Sequence, residues 1–237
     1  MRYLLLHGFT GAPASFAGLS VPTGSVAPLL GGHLERDVTG GFWDEVERLA
    51  ALGEGCQGLL GYSLGGRLAL GILARYPDRF EHAVIVSAQP GLESEAERAT
   101  RRAGDARLVE LLRERGLEAF VDHWQALPLW ASQAELAVDV KQQQRALRLQ
   151  HRADALAQSL IQHGLGEMPD LRADLRAVRA PVDVVVGERD LKFVKLGREL
   201  VNLLPHATLR VLAGAGHNLL LERPAQCSAL LRGGAGT

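Results

Sequence analysis

The 237-residue chain is 47% hydrophobic and balances 26 Lys and Arg against 27 Asp and Glu, for a formal net charge of -1. That length suits one large α/β domain with a substantial core and is too short for two full-sized domains. The even charge balance gives no electrostatic footing for nucleic acid or an anionic membrane, so a small molecule is the expected partner.

In chain order, Tyr3 to Leu6 is a short apolar run that ends at His7-Gly8 and reads as a buried strand, being too short for a signal-peptide core. Trp43 to Leu52 is amphipathic at helical spacing. Gln57 to Leu60 reads as a strand, Leu64 to Tyr76 as an apolar helix stopped by Pro77, and Ala83 to Val86 as another strand. From about Gly91 to about Gly166 the alternation stops. Leu108, Leu111, Leu112, Leu117, Phe120, Val121 and Trp124 recur there at helical spacing, and a second helical pattern covers Gln142 to Ile161. The alternation then resumes with the strand Val182 to Val186, the helix Phe193 to Leu204 before Pro205, and the strand Thr208 to Leu212.

Strands alternating with helices imply an α/β fold with a mostly parallel sheet covered on both faces. The expected organisation is a core of residues 1–90 and 167–237, with 91–166 as a helical cap folded over the sheet's edge. The Gly233 to Thr237 tail is expected to be disordered. No apolar stretch reaches the length of a bilayer span, so a cytoplasmic chain is expected, as a monomer or small homo-oligomer. Cys56 and Cys227 are far apart and belong to no ligand cluster, which points to free thiols; no motif implies a metal or organic cofactor.

Gly61-Tyr62-Ser63-Leu64-Gly65 matches Gly-x-Ser-x-Gly and falls between a strand and a helix, as a nucleophile elbow requires. Its glycines permit a sharp turn that lifts the Ser63 hydroxyl to a helix N-terminus, where free N–H groups face it. A serine hydroxyl is a weak nucleophile or base alone, so the elbow calls for a histidine and a carboxylate later in the chain. Gly187-Glu188-Arg189-Asp190 and Gly214-Ala215-Gly216-His217 each follow a strand in the order serine, acid, histidine. Position relative to the strand favours Asp190, with Glu188 as the alternative acid. The turn His7-Gly8-Phe9 can offer the Phe9 N–H to an oxyanion hole completed by the Leu64 N–H, with His7 itself structural.

These residues resemble the α/β-hydrolase superfamily across nearly the whole chain. A narrower resemblance rests on the elbow ending in Gly66-Arg67, on His7-Gly8-Phe9-Thr10-Gly11, Pro90-Gly91-Leu92 and Pro169-Asp170-Leu171-Arg172, and on Gly187-Glu188-Arg189-Asp190-Leu191-Lys192-Phe193. Together they are similar to the 2-succinyl-6-hydroxy-2,4-cyclohexadiene-1-carboxylate synthase family of menaquinone biosynthesis. The resemblance implies a lyase that takes a ring proton and expels pyruvate from an anionic substrate. It also implies carboxylate-binding arginines at Arg67, Arg101 and Arg148, beside Tyr62 and Trp124, with Arg145 able to exchange with Arg148. Arg67 has independent support, since a cation in a helix's first turn opposes the macrodipole. Arg101 sits in a mixed-charge helical stretch that also reads as a solvated face, and Trp124 as a core residue of the insertion. The stretch Pro28 to His33 lacks an aspartate that many relatives carry.

Overall fold

The computed structural model describes residues 1–232, so the expectation for Gly233 to Thr237 lies outside the described residues. Strands β1 (Tyr3–Leu6), β2 (Gly58–Tyr62), β3 (His82–Val86), β4 (Val182–Gly187) and β5 (Ala207–Leu212) form one sheet in the order β1-β2-β3-β4-β5. Every pairing is parallel, so each step needs a crossover. Helices α1 (Phe42–Leu52), α2 (Leu64–Arg75) and α6 (Leu191–Leu203) lie in three of these crossovers. Strands β1 to β4 are buried throughout, the reason they read as continuous apolar runs, whereas β5 is half-buried or exposed. The free edge of β1 is covered by Val26, whose N–H and carbonyl bond Tyr3 and Leu5 at 2.8 Å each.

Successive strand residues point to opposite faces and so feed two cores. Leu4, Leu6, Leu59, Ile85 and Val184 pack with Val46, Leu49, Leu68 and Ile72 of α1 and α2. Tyr3, Leu5, Leu60, Val84, Val86 and Val185 pack with residues of α7 (Leu219–Glu222) and α8 (Pro224–Leu231). Among the described residues no helix is long and apolar enough to cross a membrane. Both cysteines are free and buried.

Between β3 and β4 lie α3 (Glu95–Gln125), a 3-10 segment (Pro128–Glu135), α4 (Val138–Arg148) and α5 (Ala153–His163). Ser94 starts α3 with a capping box: its hydroxyl accepts the Glu97 N–H, and the Glu97 carboxylate accepts the Ser94 N–H. The single helical pattern over Gln142 to Ile161 corresponds to two helices, parted at Leu149 to Arg152. The His151 ring reaches back to the Leu147 and Arg148 carbonyls at 3.2 Å, competing for acceptors at the helix end, and Arg152 is extended. Helices α3 and α5 share a core of Leu112, Phe120, Val121, Leu156 and Leu160. They lie over the carboxyl ends of the strands instead of over the sheet's edge. The physical reason is Phe9: it rises from the turn after β1 and packs against Phe120 and Trp124, with ring centroids 6.2 and 5.4 Å away.

Candidate active site

Three non-glycine residues with left-handed backbone cluster where β1, β2 and β3 end: Thr10 (φ 61°), Ser63 (φ 52°) and Ser87 (φ 48°). Such conformations cost free energy and persist only where surrounding structure holds them, and they concentrate at functional sites. At Ser63 the restraint is packing. A Cβ on Gly65 would land on the Leu6 and His7 carbonyl oxygens, and one on Gly61 on the Gly65 carbonyl. The glycines thus let α2 start directly beneath the turn, and the Gly65 N–H is tied to the His7 carbonyl at 3.0 Å.

The Ser63 hydroxyl lies 3.0 Å from Nε2 of His217, and His217 Nδ1 lies 2.8 Å from Oδ2 of Asp190. Asp190 also caps α6, its Oδ1 accepting the Phe193 N–H at 3.3 Å. An anionic Asp190 makes Nδ1 the donor and leaves Nε2 free to accept the serine proton, the tautomer that the chemistry needs. Glu188 points elsewhere: it is exposed and accepts the Gly214 N–H at 2.8 Å. The imidazole is buried among Tyr62, Trp130 and Phe193, with ring centroids 5.7, 5.6 and 4.6 Å away. Among the described residues, the N–H groups of Phe9 and Leu64 donate to no protein acceptor.

The turn that presents Phe9 is held by buried histidines. His7 Nδ1 donates to the Gly8 carbonyl at 2.9 Å while its Nε2 accepts the Leu30 N–H at 3.2 Å, and His33 Nε2 accepts the Thr10 N–H at 3.2 Å. Burial pushes the His7 pKa down to about 4 and that of His33 well below the usual imidazole range. Both are therefore neutral, as their accepting nitrogens require. The loop without the aspartate is anchored instead by Glu45, which accepts the Gly31 N–H at 2.8 Å and pairs with Arg48 at 2.7 Å.

A cavity of about 410 Å³ opens over Ser63 and His217, walled by Phe9, Tyr62, Trp124 and Trp130 and reaching Arg67 and Arg101 at its other end. Arg67 lies one helical turn beyond Ser63 and donates to the His163 carbonyl at 2.9 Å, with no carboxylate partner among the described residues. Arg67 is half-buried; desolvation pulls its pKa down and the Arg101 charge adds to that, while the nearby Asp105 carboxylate offsets part of the shift. Arg101 reaches the same cavity already paired, its Nε 2.9 and 3.0 Å from the two Asp105 oxygens. Arg148 stands apart. It lines an adjoining chamber of about 480 Å³ behind Tyr62, only 3% exposed, with its guanidinium 5.4 Å above the Trp130 ring and Nη1 unpaired. Arg145 instead pairs at the surface with Asp122 and Glu118. Trp124 both lines the cavity and packs in the cap core, which joins the two readings of it.

Sequence reasoning passed over Trp130, Phe193 and Glu222. Phe193 was within reach, since Asp190 caps the turn that carries it. Trp130 sits in a 3-10 segment with no apolar period to mark it. Among the described residues no group of three His, Cys, Asp or Glu side chains could hold a metal ion.

A parallel sheet that aligns a serine, a histidine and an aspartate at its carboxyl ends, beneath a helical roof, defines a protein of the α/β-hydrolase class. The family model for the alpha/beta hydrolase fold matches residues 42–224. A Bacillus subtilis (strain 168) protein, provisionally named as a 2-succinyl-6-hydroxy-2,4-cyclohexadiene-1-carboxylate synthase, is 34% identical over 231 residues, covering 92% of this chain and 84% of its own length. The synthase of that name from Salmonella newport (strain SL254) is 37% identical over 167 residues, 70% of this chain and 63% of that protein. The solved structure of MenH from S. aureus superimposes with a TM-score of 0.89 at 27% identity, covering 98% of this chain and 92% of that one. The chain belongs to the α/β-hydrolase fold family, among the relatives of 2-succinyl-6-hydroxy-2,4-cyclohexadiene-1-carboxylate synthase.

Proposed function

We propose that this protein is a lyase that eliminates pyruvate from 2-succinyl-5-enolpyruvyl-6-hydroxy-3-cyclohexene-1-carboxylate to give 2-succinyl-6-hydroxy-2,4-cyclohexadiene-1-carboxylate. The observation that carries the reading is that one cavity joins the Ser63–His217–Asp190 relay to the half-buried guanidinium of Arg67, which forms no salt bridge among the described residues. A simple ester gives no reason to hold a half-buried cation without a salt-bridge partner one helical turn from the reacting serine, whereas a substrate bearing carboxylates does. The names of the Bacillus and Salmonella relatives support the same product.

In this reading His217 Nε2 accepts the Ser63 proton as Ser63 Oγ draws a proton from the ring. The electrons released form the new ring double bond, the carbon–oxygen bond to the enolpyruvyl group breaks, and the departing enolpyruvate takes the proton held on His217 to become pyruvate, so His217 returns to its neutral form and no water is consumed. The Phe9 and Leu64 N–H groups receive the developing negative charge, and Asp190 steadies the imidazolium. Arg67, Arg101 and Arg148 hold the carboxylates, with Tyr62 and Trp124 as apolar walls. Residues 1–90 and 167–237 act as the catalytic core and 91–166 as a cap that screens the cavity from water.

The test is pyruvate release by the purified protein from the enolpyruvyl substrate, run beside hydrolysis of a short-chain ester. Pyruvate should form without a burst and without an acyl adduct on Ser63. A stoichiometric acyl-enzyme found by mass spectrometry, with the ester turned over faster, would make the protein a hydrolase.

A further inference from the structure

The loop that carries His217 follows β5 through Gly214 (φ 65°) and Gly216, two glycines that by themselves leave the chain free to wander. Three hydrogen bonds from other elements tie down the peptide groups on either side of the imidazole. The Glu222 carboxylate accepts the N–H of Gly216 at 2.6 Å through Oε2 and the N–H of Asn218 at 3.2 Å through Oε1. The Ser87 hydroxyl, at the end of β3, donates to the carbonyl of His217 itself at 2.9 Å.

We infer that Glu222 is a positioning residue for His217: its carboxylate, seconded by the Ser87 hydroxyl, sets the backbone frame from which the imidazole spans Ser63 and Asp190. The inference rests on the triad reading above. Glu222 is 8% exposed, and no cationic side chain pairs with it among the described residues. Burying a carboxylate without a cation is costly, and an apolar side chain would serve helix packing better. Both oxygens go instead to the two N–H groups that bracket His217, bonds strengthened by the charge. Ser87 holds a strained left-handed backbone at the point where its hydroxyl meets this loop.

Glu222→Gln keeps one acceptor and turns an NH2 group toward the other N–H, so it should loosen the frame without opening a cavity. The expected result is a fall in kcat of roughly ten- to a hundredfold, the scale set by small misplacements of a reacting group, with KM and the melting temperature little changed. Introduced into His217→Ala, the same substitution should cost nothing more. Ser87→Ala, which removes one hydroxyl, should give a smaller fall in kcat of the same kind, and it decides the matter if the Glu222 variant does not fold. In both variants the downfield NMR signal of the His217 Nδ1 proton should broaden. Unchanged kcat in the folded variants, or an equal loss with and without His217, would overturn the inference alone. A His217→Ala enzyme that keeps its rate would overturn the triad reading and this inference with it.

Discussion

At the scale of single residues, the 2.8 and 3.0 Å contacts through His217 make Ser63, His217 and Asp190 one device, and devices of that kind lose function as a unit. Ser63→Ala and His217→Ala should each remove most pyruvate release, and the double variant should lose little more; additive losses in steady-state assays would break the unit apart. Asp190→Asn should fall steeply with the fold intact, while Glu188→Gln should keep the wild-type rate, because Glu188 serves only the Gly214 N–H. Arg67 serves both the His163 carbonyl and the cavity through one planar fork, which an ammonium cannot copy. Arg67→Lys should therefore cost on the order of 1.5–3 kcal/mol, roughly ten- to a hundredfold in kcat/KM, for the anionic substrate. A neutral ester turned over by the same variant should show almost no change, and equal effects on both would make Arg67 a structural tie.

At the scale of elements, α3 offers a comparison inside one helix. Gly104 and Gly116 both have open space where a Cβ would go, but Gly104 is ordinary helix and Gly116 sits at φ 78°, ψ 178°. Gly104→Ala should stabilise the protein by about 0.5–1 kcal/mol by reducing the freedom of the unfolded chain. Gly116→Ala should destabilise it by about 1–3 kcal/mol, since that backbone region is open almost only to glycine. Denaturant midpoints of the two variants should move in opposite directions, and a shared sign would mean that α3 is continuous in solution. The break at Gly116 allows the second half of α3 to bring Phe120 and Trp124 onto Phe9, and so it shapes the roof of the cavity.

For the whole molecule, acid should act through the buried histidines. His7, His33, His151 and His163 all have pKa values lowered first by burial. A folded-state pKa below the unfolded value means that stability is full above about pH 6.5 and is lost as pH falls toward the folded value. For His7, with a folded pKa of about 4, the loss is about 2 kcal/mol by pH 5. Urea titrations at pH 7.5 and pH 5 should show that loss or more, and flat stability between them would mean that these rings are not buried neutral. The first casualty should be the turn that carries the Phe9 N–H, because His7 and His33 accept backbone N–H groups that a protonated ring cannot. What the chain alone determined was everything written in local pattern: the five strands, four of them continuous apolar runs because both faces are covered, the glycine-framed elbow at Ser63, and the order serine, acid, histidine along the chain. These survive without coordinates because periodicity, turn chemistry and strand-end position are properties of neighbouring residues. Only the tertiary structure shows Asp190, which strand position already favoured, meeting His217 while Glu188 turns to Gly214, and only it turned Arg148 inward and Arg145 outward, parted α4 from α5, and set the inserted helices above the strand ends. Each of those depends on contacts between residues far apart in the chain, such as Phe9 with Trp124 or Glu222 with the loop of His217, and distance in sequence carries no signal of them.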